Sequence, residues 1–331
     1  MFQPHYKNQR LRCKNTQTFP HIAAQKTPDE NKGHVLLKDV LRSQTSGSGE
    51  SQIHILLNQF CTDARKSETF QMLADDIADL EWGMEFEEIG NKGHCLDFGR
   101  KIITLDSCGL QPSSILESKY FCNLVFLCFL RATRDIWQEM RWPDLTRHLC
   151  PDSIMLIERL KSADVDVVSA LMAWEMKEAG DDSLWRHIIS SDDADITKPF
   201  SAPAAQKHSS AALSFHRWFE SSDRVRWVDH ETLEYMDTLL FSNERNPFGK
   251  NRLTPRDVAR VGCFPDKKSY LSETGRAILE DPFYVGMQDP VNQAHFYHIV
   301  KDIQCITVQG VQFQDRRLAR MIFPEEKVMQ D

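Results

Sequence analysis

Arg131 and Asp135 stand four residues apart, with Ala132 beside the first, in the segment Phe129-Leu130-Arg131-Ala132-Thr133-Arg134-Asp135-Ile136-Trp137-Gln138. On a helix, positions i and i+4 share one face, so two histidines at this spacing can hold one zinc ion. A glutamate after the first of them can then point at the metal-bound water and act as general base. The residues present cannot do that chemistry. Arginine does not release its proton to coordinate zinc, and alanine accepts no proton from water. Aspartate can ligate a metal, but one carboxylate beside a guanidinium makes a poor zinc site. On their own, Arg131 and Asp135 read as an i,i+4 ion pair, which on a surface contributes about 0.3–0.5 kcal/mol.

Other reactive residue types are scattered. His295 and His298 have an i,i+3 spacing that metals can use, but no acidic or cysteine ligand is paired with them, so a helix surface is expected. His208, His216 and His230 fall among aromatic residues and read as packing. The run Asp192-Asp193-Ala194-Asp195 lacks the glycine and terminal glutamate of a calcium loop and reads as a solvated turn. Cys108, or Ser162 beside Asp164, could serve as a nucleophile only if the fold brought up a histidine. The tryptophans Trp137, Trp142, Trp174, Trp185, Trp218 and Trp227 are expected in helix crossings.

The elements that carry these residues follow from periodicity. Phe70, Leu73, Ile77 and Leu80 give a helix within 62–82. Met84–Ile89 and His94–Phe98, separated by Gly90-Asn91-Lys92-Gly93, suggest a hairpin, and Lys101–Leu105 a third strand. A long helix is expected from Pro112 to about Arg141, stopped by Trp142-Pro143. A second runs from Asp152, as N-cap, to Ala179, with Gly180 ending it. Further helices are expected at 204–220, 229–240 and 254–261, then a turn-rich segment 262–271 and a weak strand within 303–313. No internal repeat and no glycine-rich phosphate loop is present.

The chain has 331 residues, 41% hydrophobic and 27% charged, the composition of a soluble globular protein. Its apolar run Tyr120–Leu130 is too short to span a membrane, and the first residues lack the apolar core of a secretory signal. Nine cysteines without a Cys-x-x-Cys pair point to reduced core thiols and a cytoplasmic protein. A net charge of −8 argues against nucleic acid as a partner. Residues 1–50 hold eight Lys/Arg and four Asp/Glu, so this arm is +4 and the rest of the chain −12. The arm, ending in a Ser/Gly-rich stretch, reads as a disordered tail and linker. Residues 51–200 then form the core and 201–331 a helical extension of the same domain.

Several of these residues resemble a bacterial family of zincin-like metallopeptidases of unknown function. The strand Ile102-Ile103-Thr104-Leu105-Asp106 precedes a helix ending in Trp137-Gln138, as the family's strand precedes a helix with His-Glu-x-x-His-x-Trp-Gln. Arg134 matches an arginine often found inside that motif. Arg159-Leu160-Lys161-Ser162-Ala163-Asp164-Val165 stands where the family has Arg-x-x-Glu-Ala-Asp-Ala. Ala173-Trp174-Glu175-Met176, Gly180-Asp181, and Val261-Gly262-Cys263-Phe264-Pro265 with Tyr270-Leu271 match further segments. The resemblance covers roughly residues 84 to 285.

It implies an α+β, predominantly helical fold: a zincin-like core of two long helices with a small antiparallel sheet. It also implies that the site is degenerate. Arg131 and Asp135 stand at the two histidine ligands, Ala132 at the general base, and Ser162 at the third ligand, a glutamate. Asp164 remains as a residue that would orient a ligand. No catalytic residue, metal or cofactor is then expected, and zinc only if the register is shifted. In its place an ion-pair network or binding cleft is expected from Arg131, Asp135, Trp137, Gln138, Arg159 and Asp164. Arg131 would pair with both Asp135 and Asp164. The expected function is a catalytically inactive metallopeptidase-like protein that binds a peptide or protein partner. The alternatives are a metal-dependent hydrolase built on Asp135, Asp164 and a distant histidine, or a purely structural or interaction protein.

Overall fold

The computed structural model describes residues 13–14, 35–42, 51–90, 93–141, 148–203, 205–241, 248–304, 306–308, 311–313 and 321–322. Most of the N-terminal arm, including the Ser/Gly-rich linker, and the Trp142-Pro143 stop lie outside those residues. Helix α1 (Leu37–Arg42) buries Leu37, Val40 and Leu41, so the packed chain begins upstream of Ser51. The expected helix within 62–82 is the second of a pair, α2 (Gln52–Ala64) and α3 (Glu68–Ile77). Ser67 breaks them apart, because its hydroxyl accepts from Phe70 N (3.1 Å) and caps α3. Phe70, Leu73 and Ile77 are fully buried, as their spacing requires.

The sheet is mixed and not purely antiparallel. Its order is β1 (Cys13–Lys14), β4 (His94–Asp97), β5 (Ile102–Asp106), β3 (Gly83–Glu87), β2 (Val35–Leu36). β5 runs antiparallel to β4 but parallel to β3, so β3 and β4 are not the expected hairpin. The reason is burial. Ile103 through Asp106 are all buried, and a strand buried on both faces takes the centre of a sheet. The expected strand near the C-terminus is a hairpin, β6 (Ile306–Val308) with β7 (Val311–Phe313).

The first long helix is interrupted. α4 (Pro112–Glu117) and α5 (Lys119–Arg141) are separated by Ser118 in an extended conformation. α6 (Pro151–Glu178) is the central element and is buried along nearly all of its length. Its N-cap is Cys150, with Pro151 in the first turn, and not Asp152. Gly180, at φ +96°, ends it: Gly180 N donates to Lys177 O and Asp181 N to Met176 O, both 2.9 Å.

Around α6 pack α3, α5, α7 (Ser183–Ile189), α8 (Ala194–Thr197), α9 (Lys207–Glu220), α10 (Ser222–Phe241) and α11 (Pro255–Val261). Short helices α12 (Gly275–Glu280) and α13 (Pro282–Val285) and helix α14 (Pro290–Gln304) follow, ahead of the β6–β7 hairpin. Among the described residues no helix is long and apolar enough to cross a membrane.

Candidate functional site

The second half of α5, Val125 to Gln138, is buried without interruption. A buried charge must be paired, so the partners of Arg131, Arg134 and Asp135 define the site. Arg131 reaches away from Asp164. Its Nη2 donates to Asp193 Oδ2 at 2.7 Å, and its Nε lies 3.1 Å from Asp166 Oδ1. Asp135 faces the sheet, with Oδ2 3.2 Å from His94 Nε2 on β4. The expected triad of Arg131 with Asp135 and Asp164 therefore does not form.

Asp164 belongs to the other arginine. Arg134 grips it through Nε (2.7 Å) and Nη2 (3.1 Å), a bidentate pair of two side chains with no exposure. Gln138 Nε2 and the Tyr270 hydroxyl donate to the same carboxylate at 2.5 and 2.7 Å. Arg134 Nη2 also donates to Cys263 O (2.8 Å) and Val261 O (3.3 Å). Its guanidinium lies 4.3 Å from the ring centre of Trp137, whose Nε1 donates to Asp76 at 2.7 Å. Burial, then the Asp164 charge, pushes the Tyr270 phenol well above its usual range, so it remains a donor. Arg159 holds a separate post, pairing with Asp229 at 2.5 and 2.8 Å and donating to the carbonyls of Tyr284 and Gly286.

The acidic run is not a solvated turn. Asp193 is buried and lies between Arg131 and Arg224 Nη2 (3.3 Å), and Arg224 Nη1 donates to Asp195 at 2.8 Å. Asp166 also accepts from Trp218 Nε1 at 2.7 Å. His94, Asp166, Asp193, Arg224 and Tyr270 are thus members that sequence reasoning missed. The signal present for two of them was a cluster of acids in a chain with unmatched interior arginines.

The remaining candidates lie apart. His295 meets Asp237 (2.5 Å) and His216 meets the Tyr284 hydroxyl (2.8 Å). His208 packs on Phe264, His230 near Trp227, and His298 beside Tyr297. Ser162 is half-buried, and neighbouring Asp164 is already engaged by Arg134. Burial, then Asp106, pushes the Cys108 thiol up to about 12, which keeps it protonated and unreactive at neutral pH.

Zinc at the motif positions would need donors from 131, 135 and 162 and a base at 132. Arg131 places a permanent cation there, already paired to Asp166 and Asp193, and Ala132 is an apolar side chain with no exposure. These residues do not fit the metal. Among the described residues, no three of His, Cys, Asp and Glu are grouped as metal ligands.

No curated protein and no solved structure matches the chain. Residues 119–272, from the start of α5 to just past Tyr270, match the model of the Putative metallopeptidase family (DUF6782), and over that segment the chain is similar to this family.

Proposed function

We propose that this chain is a metallopeptidase-like protein in which a buried ionic contact replaces the zinc and its base, leaving a scaffold that binds a peptide or protein partner without cutting it. The observation that carries this reading is Arg131 at the first ligand position, joined to Asp166 and Asp193 with all three at least nine-tenths buried. A guanidinium there repels a dication, and it ties α5 to Asp193 by a charge-assisted hydrogen bond and to Asp166 on α6 by an ion contact. Ala132 leaves the reaction without a general base.

The hydrolase alternative draws some support from the His94–Asp135 contact, which puts two donors side by side. Asp164, the third member it requires, is saturated by Arg134, Gln138 and Tyr270. Two donors fall short of the three protein ligands that a catalytic zinc site uses.

The test is elemental mass spectrometry on tag-free protein purified without added metal, together with melting curves with zinc and with chelator. The expected result is no stoichiometric metal and unchanged melting in both. About one equivalent of zinc, whose removal lowers the melting temperature, would overturn the reading.

A further inference from the structure

Charge is unevenly shared along this chain. Residues 1–50 and residues 250–268 each carry +4 and the total is −8, so the rest carries −16. The second positive segment holds Lys250, Arg252, Arg256, Arg260, Lys267 and Lys268, and all six side chains are exposed. Its two acids are turned to the backbone. Asp257 Oδ2 accepts from Thr254 N (2.9 Å) and the Thr254 hydroxyl (2.7 Å) at the start of α11, and Asp266 Oδ1 accepts from Lys268 N (3.0 Å). Among the described residues, Lys250, Arg252, Arg256, Lys267 and Lys268 form no ion pair. Elsewhere Arg100, Arg186, Arg217, Arg224, Arg226 and Arg276 each meet a carboxylate.

The fold holds these cations together on fixed backbone. Asn251 N donates to His148 O (3.1 Å) and Cys150 N to Asn251 O (2.8 Å), which ties the stretch from Lys250 to Arg252 to the start of α6. Arg256 and Arg260 are one turn apart on α11 and share a face. Arg260 Nη2 donates to Arg141 O (3.0 Å). That brings in Arg141, half-buried, with its guanidinium 4.4 Å from the centre of the Trp137 ring. Beyond α11 the chain turns back, Phe264 N donating to Lys268 O and Lys267 N to Phe264 O, both 2.9 Å. Lys267 and Lys268 therefore stand near the end of that helix. Like charges at i,i+4 weaken a helix, and a bound anion would relieve them.

We propose that this face docks an acidic polypeptide segment, a short run rich in aspartate or glutamate. Arginine takes a carboxylate through two hydrogen bonds, so a row of arginines with flanking lysines suits a row of separate carboxylates. The surroundings favour a short partner. A long polyanion such as nucleic acid, or a sheet of anionic headgroups, would run past the face onto the rest of a chain that carries −16. A short acidic run stays on it. The inference deepens the proposed function by naming the partner's chemistry, and it rests on that reading only for the existence of a polypeptide partner. Docking here can fail while the metal result stands, and the reverse.

The test is fluorescence anisotropy of a labelled, amidated peptide Gly-Glu-Glu-Leu-Glu-Glu-Gly titrated with the full chain. A counterpart carries lysine in place of each glutamate. The glutamate peptide should bind saturably and more weakly as salt rises, and the lysine peptide should not bind. Arg252→Glu with Arg256→Glu and Lys268→Glu should weaken binding by about tenfold or more with melting unchanged, because none of the three has an ion pair to lose. Arg252→Glu alone should weaken it by roughly threefold. Lys119→Glu with Lys198→Glu and Lys301→Glu reverses three exposed cations elsewhere and should leave affinity within about twofold. No binding of the glutamate peptide at about 1 mM, full affinity in the first triple variant, or an equal loss in the second would overturn the inference. So would a tighter hold on single-stranded poly-dT, or on phosphatidylserine vesicles, than on the peptide.

Discussion

Arg131 and Arg134 lie three residues apart on one helix and are both buried, but they hold the molecule differently. Arg134 is sealed: neither it nor Asp164 has any exposure, and it serves two main-chain carbonyls besides its carboxylate. Arg131 begins a chain of charges that leads outward through Asp193 and Arg224 to the exposed Asp192, whose carbonyl accepts from Arg224 Nη2 at 2.7 Å. Every residue of the Arg134 cluster on α5, α6 and the 261–270 segment is one that carries the family resemblance. Arg131 and Asp135 find their partners elsewhere, on Asp166 and Asp193 and on His94. The two arginines therefore tie α5 into the fold through separate sets of partners, Arg134 through Asp164 and the 261–270 segment, and Arg131 through Asp166 and Asp193.

Removing Arg134 should have the largest effect. Arg134→Met leaves Asp164 charged in a sealed site and should cost about 3–5 kcal/mol in urea unfolding. Adding Asp164→Leu should not restore it, because Val261 O, Cys263 O and the Tyr270 hydroxyl would still lack partners. Full recovery in the double variant would break the comparison.

Arg131→Ala should cost about 2–4 kcal/mol, since two buried carboxylates lose their cation. A loss below about 0.5 kcal/mol would mean that the contact is solvated. Here a neutral replacement is available. Arg131→Met with Asp166→Asn and Asp193→Asn should recover most of the stability, as buried ion pairs often tolerate uncharged substitutes. The amide oxygen introduced at position 166 would still accept from Trp218 Nε1. A double-mutant cycle of Arg131→Ala and Asp193→Asn should give a coupling of about 1 kcal/mol or more. Recovery at 131 but not at 134 is the result that sharpens the contrast.

Trp137→Phe should be milder, about 0.5–1.5 kcal/mol, because it removes only the bond to Asp76 and keeps a ring under Arg134.

The sequence made local features legible and long-range ones not. Gly180 ends α6 where its backbone preference requires, whereas the helix starts at Pro151, before the expected cap Asp152. The order of the sheet is not legible locally, because β3 and β4 are read as neighbours when the more buried β5 lies between them. The site shows the same divide. Asp164 and Asp166 are two residues apart on a helix and so point to different sides, and periodicity alone does not say which side meets Arg131. Asp193, its other partner, is 62 residues away. Burial of the whole Val125–Gln138 stretch was the missing quantity, since it forces each charge to find a counter-charge wherever the fold provides one.

The smallest expected effect concerns pH and tests whether the Arg131 field reaches its surroundings. Burial, followed by the Arg131 charge, holds the His187 imidazole below its usual range. A histidine depressed in the fold stays neutral there while the unfolded chain takes up a proton, so the unfolded state binds more protons at mildly acid pH. Its contribution is intact above the ordinary histidine value of 6.5. It is lost as pH falls from there through the lower folded value. Urea midpoints measured downward from pH 7 should therefore fall in the parent, and less steeply in His187→Gln. Arg131→Met should also flatten the slope, though less than His187→Gln, because burial is the larger cause. An unchanged slope in both variants would place His187 outside the influence of either burial or Arg131, and the outer side of the comparison would then rest on Asp193 and Arg224 alone.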